Sequence, residues 1–402
     1  MNQLALDTGN SLKQQPYPHF IKYMGSKSKI MDFVVEGVNE VYTGGAVCDL
    51  FAGSGSLSGA LGRQVPMVSN DIQAYSGSIA DVYLNGWLHP DTPTSSEIIE
   101  AAEKIVQQKF ERFPLQFDFS QKISREDFVK VEKRHQSLLE VDFDDNWHLF
   151  TKNYSGTWWC AEQCAWIDAI REVAERYKGT PSFNLVLCCL MYAMAYTSQG
   201  TGHYAQYRDA KTDSSLKDIL IYRRRSITKY FEKKFAELIS WLPQEESPFL
   251  HRTVTSDFRD CLNSFEGGTV YADPPYCFVH YSRFYHAIET LIRYDYPELQ
   301  VKGGKIVKGR YRNDRHQSPF CIRSQVRTAF SDMFEALKTS DSSLVLSYSN
   351  TGMITIDEVG DLIAKHLPHM TAELLTIDHQ HMTLGRQKDR HREVKECLIL
   401  VK

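Results

Sequence analysis

The chain predicts an α/β fold, a doubly wound and mostly parallel sheet interrupted by a long, mainly helical insertion. Three observations carry this. Residues 1–83 hold a strand–glycine turn–helix–strand unit. Residues 84–250 switch to long stretches with apolar residues at helical spacing, richer in aromatics and charge. Residues 251–402 return to short apolar strands around one helix.

The elements follow in order. Ala46 to Phe51 is a short apolar strand, Ala52 to Ser56 a Gly/Ser turn, Leu57 to Gly62 the start of a helix and Val65 to Ser69 a second strand. In the insertion, Ser95 to Phe113, Trp166 to Lys178 and Ile227 to Trp241 have helical periodicity, and Ser198 to Arg208 reads as a turn. Then His251 to Phe258, Val270 to Asp273 and Ser343 to Ser349 fit strands, with Ser324 to Thr339 a helix packed among them. Ala372 to Ile377 and Val394 to Val401 form two more strands joined by a polar, basic loop. Lys302 to His316, glycine-bearing and strongly basic, predicts a mobile loop.

Composition narrows the function classes. With 402 residues, 42% hydrophobic and 24% charged, the chain is of soluble globular type. A net charge of −4 supplies no overall positive field, so nucleic acid would have to be held by local patches. Met1 to Gln15 lacks the basic-then-apolar signal pattern, and the apolar run Phe183 to Tyr196 is too short to span a bilayer. The 9 cysteines form no paired Cys-x-x-Cys set, which predicts reduced, mostly buried thiols, no metal site and a cytoplasmic protein.

Asp273-Pro274-Pro275-Tyr276 is the most specific local signal. Two prolines remove two backbone donors and fix φ near about −65°, which makes a stiff corner at a strand end. The corner offers a carboxylate, carbonyl acceptors and a ring, a set suited to a flat molecule bearing an amino group. An ordinary turn is the plain alternative. The earlier turn, Asp49-Leu50-Phe51-Ala52-Gly53-Ser54-Gly55, lets a ligand approach the backbone. Asp71 closes the next strand, where an acidic residue hydrogen-bonds ribose hydroxyls in nucleotide-type sites. The third glycine of the dinucleotide fingerprint and the Gly-Lys-Ser/Thr of a P-loop are both missing, so a ribose ligand without pyrophosphate fits better.

Further segments complete a pattern. They are Lys22-Tyr23-Met24-Gly25-Ser26-Lys27, Asn70-Asp71, Thr255-Ser256-Asp257-Phe258 and Leu346-Ser347-Tyr348-Ser349-Asn350. In order and spacing the whole set resembles the Dam-like, α-class adenine-N6 DNA methyltransferases. The resemblance covers both ends of the chain and skips most of the middle. It implies a Rossmann-like methyltransferase sheet with an inserted helical target-recognition domain, S-adenosylmethionine as cofactor and double-stranded DNA as partner. Carried over by position, Tyr23, Lys27, Asp71 and Asp273 would contact the cofactor. Asp49, Phe51, Gly53 and Gly55 would line it, the glycines at its methionine part, and Asp257 with Phe258 would hold its adenine. The family's common tryptophan is Tyr23 here and its Gly-Gly is Gly25-Ser26; a tyrosine still stacks.

The same resemblance makes Asp273, Pro274, Pro275 and Tyr276 the catalytic group acting on a flipped adenine. Cytosine-N4 transfer, which more often carries Ser in place of Asp273, and a silent DNA-binding relative are the alternatives. DNA contacts are expected from Arg223, Arg224 and Arg225, and from Lys305, Lys308, Arg310 and Arg312 in the basic loop. Such runs also suit a solvated helix face or a plain loop. Arg386, Lys388, Arg390 and Arg392 add charge near the C-terminus. Gln199, His203, Gln206 and Arg208 are offered as base-edge readers by residue type. Tyr281, Phe284, Tyr285 and Tyr294 form an aromatic-rich stretch after the corner, for the flipped base or for core packing.

Overall fold

The computed structural model describes residues 11–114, 116–144, 146–200, 203–276, 278, 280–382 and 391–402. Its main sheet has 7 strands: β1 (Ala46–Asp49), β2 (Met67–Asp71), β3 (Arg252–Thr255), β4 (Gly268–Ala272), β7 (Ser343–Ser349), β8 (Ala372–Met382) and β9 (His391–Val401). Between β4 and β7 lies a separate hairpin, β5 (Val301–Lys302) and β6 (Lys305–Ile306). The strand order is β3-β2-β1-β4-β7-β9-β8. β1 to β4 and β7 run parallel, while β9 pairs antiparallel with both β7 and β8.

The parallel strands are short and nearly continuous in apolar residues because both faces are covered. On one face Met31, Val34, Val35 and Val38 of helix Met31–Val41 pack with Val47, Met67, Val345 and Leu398. On the other, Phe258, Cys261 and Leu262 join Phe330, Met333 and Phe334 over Cys48, Val270 and Leu346. Helices on both faces define the doubly wound class. β1 is bounded by β2 on one side and β4 on the other, so the winding direction reverses between β1 and β4. Ligands of such sheets bind outside the carboxyl ends of the strands at that reversal.

The helices of the insertion form a third core. Helix Pro181–Thr197 is apolar on all sides and lies at its centre, which explains the long apolar run. Helix Ser95–Arg112 starts with a capping box of Thr94 and Glu97, and Ser226 caps helix Ile227–Trp241. This core is not closed off from the sheet domain. Ile79, Val82 and Tyr83 of helix Ala74–Asn85 belong to it, as do Ile288 and Leu291 of helix His286–Arg293.

Three expectations change. The strand expected over His251 to Phe258 stops at Thr255, because the Asp257 side chain accepts from Arg259 N at 3.0 Å and starts helix Phe258–Asn263. Lys302 to His316 is a folded element rather than a mobile loop. It turns at Gly303 and Gly304, then is tied back by Gln300 N to Tyr311 O at 2.8 Å and by Trp158 Nε1 to Gly309 O at 2.9 Å. The predicted loop between the last strands lies largely in 383–390, outside the described residues, and Arg392 belongs to β9. All cysteines among the described residues are free and buried. Among these residues no helix is long and apolar enough to cross a membrane, and no cluster of His, Cys, Asp and Glu is arranged to hold a metal.

Candidate active site

The carboxyl ends of β1 and β4 place Asp49 and Asp273 at the reversal point, and β2 ends beside them in Asp71. All three line a single cleft. Tyr23, Lys27, Phe51, Gly53, Asp257, Phe258, Pro274, Pro275 and Tyr276 also line it. The cleft thus brings together the sequence-predicted catalytic and cofactor residues other than Gly55. Gly55 stands just behind, at φ +65°, and caps helix Ser56–Leu61.

The turn is shaped by Asp71 and Tyr23. Gly53 N and Gln73 N each donate to the Asp71 carboxylate at 2.9 Å, which pins the turn to the end of β2. Gly53 has φ +53°, and a Cβ there would lie 2.8 Å from Tyr23 Oη. The turn must be glycine for backbone shape and because the Tyr23 ring covers it. Burial raises the Asp71 carboxyl, and the backbone donors offset this in part. Asp49 is pushed well above the usual carboxylate range by burial, then by Asp273 and Asp71. Three carboxylates therefore converge where a cationic ligand would relieve their repulsion. Gln73 Oε1, at the cleft, is buried without a hydrogen-bond partner among the described residues.

A second network fixes the proline corner. Lys27 Nζ lies 3.3 Å from Asp273 Oδ1 and 3.0 Å from Glu396 Oε2. Tyr276 Oη donates to Glu396 Oε1 at 3.0 Å, and its ring lies edge-on to Tyr348. Lys27 is placed by a short helical turn, Lys27–Ile30, that Ser26 caps. Burial works against its charge, but Asp273 and Glu396 outweigh burial and hold the ammonium above the usual amine range. Glu396 is itself 1% exposed. It enters from β9, opposite Ser349 in the register with β7.

Aromatic rings form the remaining walls. Phe51 and Phe258 line the cleft, and with the buried Phe320 they pack mutually at 5.2 to 5.8 Å between centroids. Tyr23 stacks on Tyr285 at 4.9 Å and faces Tyr281 at 5.7 Å. Of the aromatic stretch after the corner, Tyr281 and Tyr285 thus meet the site. Phe284 packs on His203, and Tyr294 donates to buried Asp168 at 2.6 Å. Sequence reasoning missed Glu396, Gln73, His280 and Phe320; only His280, near the corner, carried a local signal.

The expected DNA contacts divide. Arg223 is a correction: its side chain is fully buried and paired with Glu132 at 2.9 Å, while it also donates to the Thr157 and Trp158 carbonyls. Arg312 is a second: it is 2% exposed and grips Asp295 through two bonds of 2.7 Å. Neither reaches a phosphate. Gln199 and His203 are buried as well, and Arg208 is paired with Asp218. Arg224, Lys305, Lys308 and Gln206 are exposed, and Arg225 and Arg310 half-buried. Lys308 pairs with Asp209 at 2.9 Å.

A cleft at the sheet reversal, with an acidic floor and a proline corner, belongs to a fold of the Rossmann-like methyltransferase type. The sequence pattern of the D12 class N6 adenine-specific DNA methyltransferases matches residues 23–345, and the chain belongs to that family. Among its relatives, modification methylase LlaI of Lactococcus lactis subsp. lactis is 22% identical over 95% of this chain and 55% of its own length. Type II methyltransferase M.FokI of Planomicrobium okeanokoites is 24% identical over 86% of this chain and 47% of its own. Type II methyltransferase M2.HphI of Haemophilus parahaemolyticus is 23% identical over 94% of this chain and 96% of its own. The chain thus spans about half the length of the first two and nearly all of the third.

Proposed function

We propose that this chain methylates the N6 amino group of adenine in double-stranded DNA, with S-adenosylmethionine as donor. The observation that carries the reading is the Asp273 corner, which shares one cleft with Asp49, Asp71 and the Gly53 turn. The acidic floor fits a ligand with a sulfonium and an ammonium, and the Phe51 and Phe258 wall fits its adenine. Asp71 would accept from the ribose hydroxyls, and Tyr23, Lys27, Asp257 and Gly55 would complete the holding set. Bound there, S-adenosylmethionine supplies an activated methyl group.

The chain's own work is to prepare the amino group. That nitrogen is a poor nucleophile because its lone pair is delocalised into the ring. Hydrogen bonds to the Asp273 carboxylate and the Pro274 carbonyl localise the lone pair and steady the positive charge that develops. Lys27 and Glu396 hold Asp273 and Tyr276 at fixed positions, so alignment needs little rearrangement. The target must leave the duplex, and Tyr276 offers it a ring. Stacking is worth about 1–3 kcal/mol, so Tyr276→Ala should slow the reaction less than Asp273→Ala. Which adenine is chosen falls to the helical insertion. The relatives' names support a type II modification role.

Product analysis tests this. DNA incubated with the protein and labelled S-adenosylmethionine should yield N6-methyladenine on nucleoside digestion. N4-methylcytosine instead would replace the reading. Asp273→Ala should abolish transfer in a folded protein, because Glu396 still holds Lys27. Appreciable turnover by that variant would remove Asp273 from the mechanism.

A further inference from the structure

We infer that Arg283 and Arg315 form a site for one backbone phosphate of the DNA, at the mouth of the catalytic cleft. The inference rests on the function proposed above and goes beyond it by naming the contact. Both guanidinium groups converge on one ring: Arg283 lies 4.8 Å and Arg315 5.5 Å from the Tyr311 centroid. Tyr311 is held in place, since its hydroxyl donates to Ala205 O, and Arg283 Nη2 donates to the same carbonyl at 3.1 Å.

The pair sits beside the chemistry. His280, Ser282 and His316 line the cleft, and Ser282 Oγ donates to His316 O at 2.6 Å. That bond clamps the two segments together, and Arg283 and Arg315 are the next residues along each. Arg283 is exposed and Arg315 half-exposed, so a ligand reaches both.

Their charge is uncompensated. Neither arginine has a carboxylate partner among the described residues. Asp314, next to Arg315, is taken by Arg312 at 3.0 Å. Arg315 Nε is buried with no hydrogen-bond partner. The nearby His280 and His286 are both depressed, first by burial and then by these arginines. Like charges collected on one ring, with an unused donor among them, await an anion. A planar guanidinium pair matches the tetrahedral oxygens of a phosphodiester, and a base entering the cleft brings one to its mouth. The proposed phosphate contacts at Arg223 and Arg312 are replaced by these two.

The test is binding of a duplex oligonucleotide of mixed sequence across a salt series. The slope of log affinity against log salt counts released counterions, about 0.9 per phosphate neutralised. Arg283→Ala and Arg315→Ala should each weaken binding about tenfold at low salt and, together, lower the slope by about 1. Arg283→Lys and Arg315→Lys should keep most of the slope. Melting-temperature shifts with S-adenosylmethionine should match the parent protein's and show that the cleft is intact. Parent protein that binds duplex, with an unchanged slope in the double alanine variant, would overturn the site alone. Parent protein that neither binds nor methylates DNA would overturn the function, and the site with it.

Discussion

Glu396→Ala removes the hub of the network around the corner. Truncating one partner of a buried ion pair costs about 3–5 kcal/mol, because the other charge is left stranded. Lys27 would keep Asp273 at 3.3 Å, and Asp273 is 19% exposed, so the lower end of the range applies. Tyr276 also loses a hydrogen bond worth about 1 kcal/mol. The expected destabilisation is therefore about 3–4 kcal/mol, read from urea unfolding. A looser Tyr276 and Lys27 should lower kcat about fivefold or more, at about 1.4 kcal/mol per tenfold. A second variant separates packing from chemistry. Lys27→Met with Glu396→Leu removes both buried charges but also takes the ammonium from Asp273, so it should regain part of the stability, yet stay slow. An unchanged unfolding midpoint and unchanged kcat in Glu396→Ala would refute the reasoning.

Gly53→Ala forces a Cβ to 2.8 Å from Tyr23 Oη at a φ of +53°, so S-adenosylmethionine affinity should fall at least tenfold with the fold retained; calorimetry checks it. Arg223→Ala strands Glu132, whose carboxyl burial already pushes up to about 7, and should cost about 3–5 kcal/mol while leaving the salt slope of DNA binding unchanged. Burial holds His286 down to about 3 from an ordinary 6.5, so below pH 6.5 the unfolded chain takes up a proton that the folded one refuses. Stability contributed by its neutral form is thus lost as pH falls from 6.5 towards 3, by about 2 kcal/mol at pH 5. In His286→Gln the unfolding free energy between pH 7 and 5 should be flatter by that amount.

Residues whose role depends on their own few neighbours were legible in the sequence. The Gly53 turn, Asp71 and the Asp273 corner each act through local backbone shape at a strand end, and strand ends announce themselves by apolar runs. The apolar period of helix Ile227–Trp241 alone marks its boundaries, and in the structure Ser226 caps its start. Glu396 was not legible. It meets Lys27 and Tyr276 only through the antiparallel register of β9 on β7, and an acidic residue in a late strand looks like a solvent-facing one. Arg223 and Arg312 failed for the opposite reason. A run of basic residues gives the charge but not the partner, and Glu132 and Asp295 approach from elsewhere in the chain. The strand before Asp257 was overextended because a side-chain cap, and no change of hydrophobicity, ends it.

The shared helical core bears on protein engineering. Ile79 and Tyr83, from the helix behind the glycine turn, are buried among the same side chains as Trp158, Leu187 and Phe231. A specificity graft that exchanged residues 84–250 wholesale would therefore cut through a packed interior and shift the walls of the reaction cleft. On the proposed reading, in which the insertion chooses the adenine, retargeting calls for surface changes there that leave those apolar contacts in place.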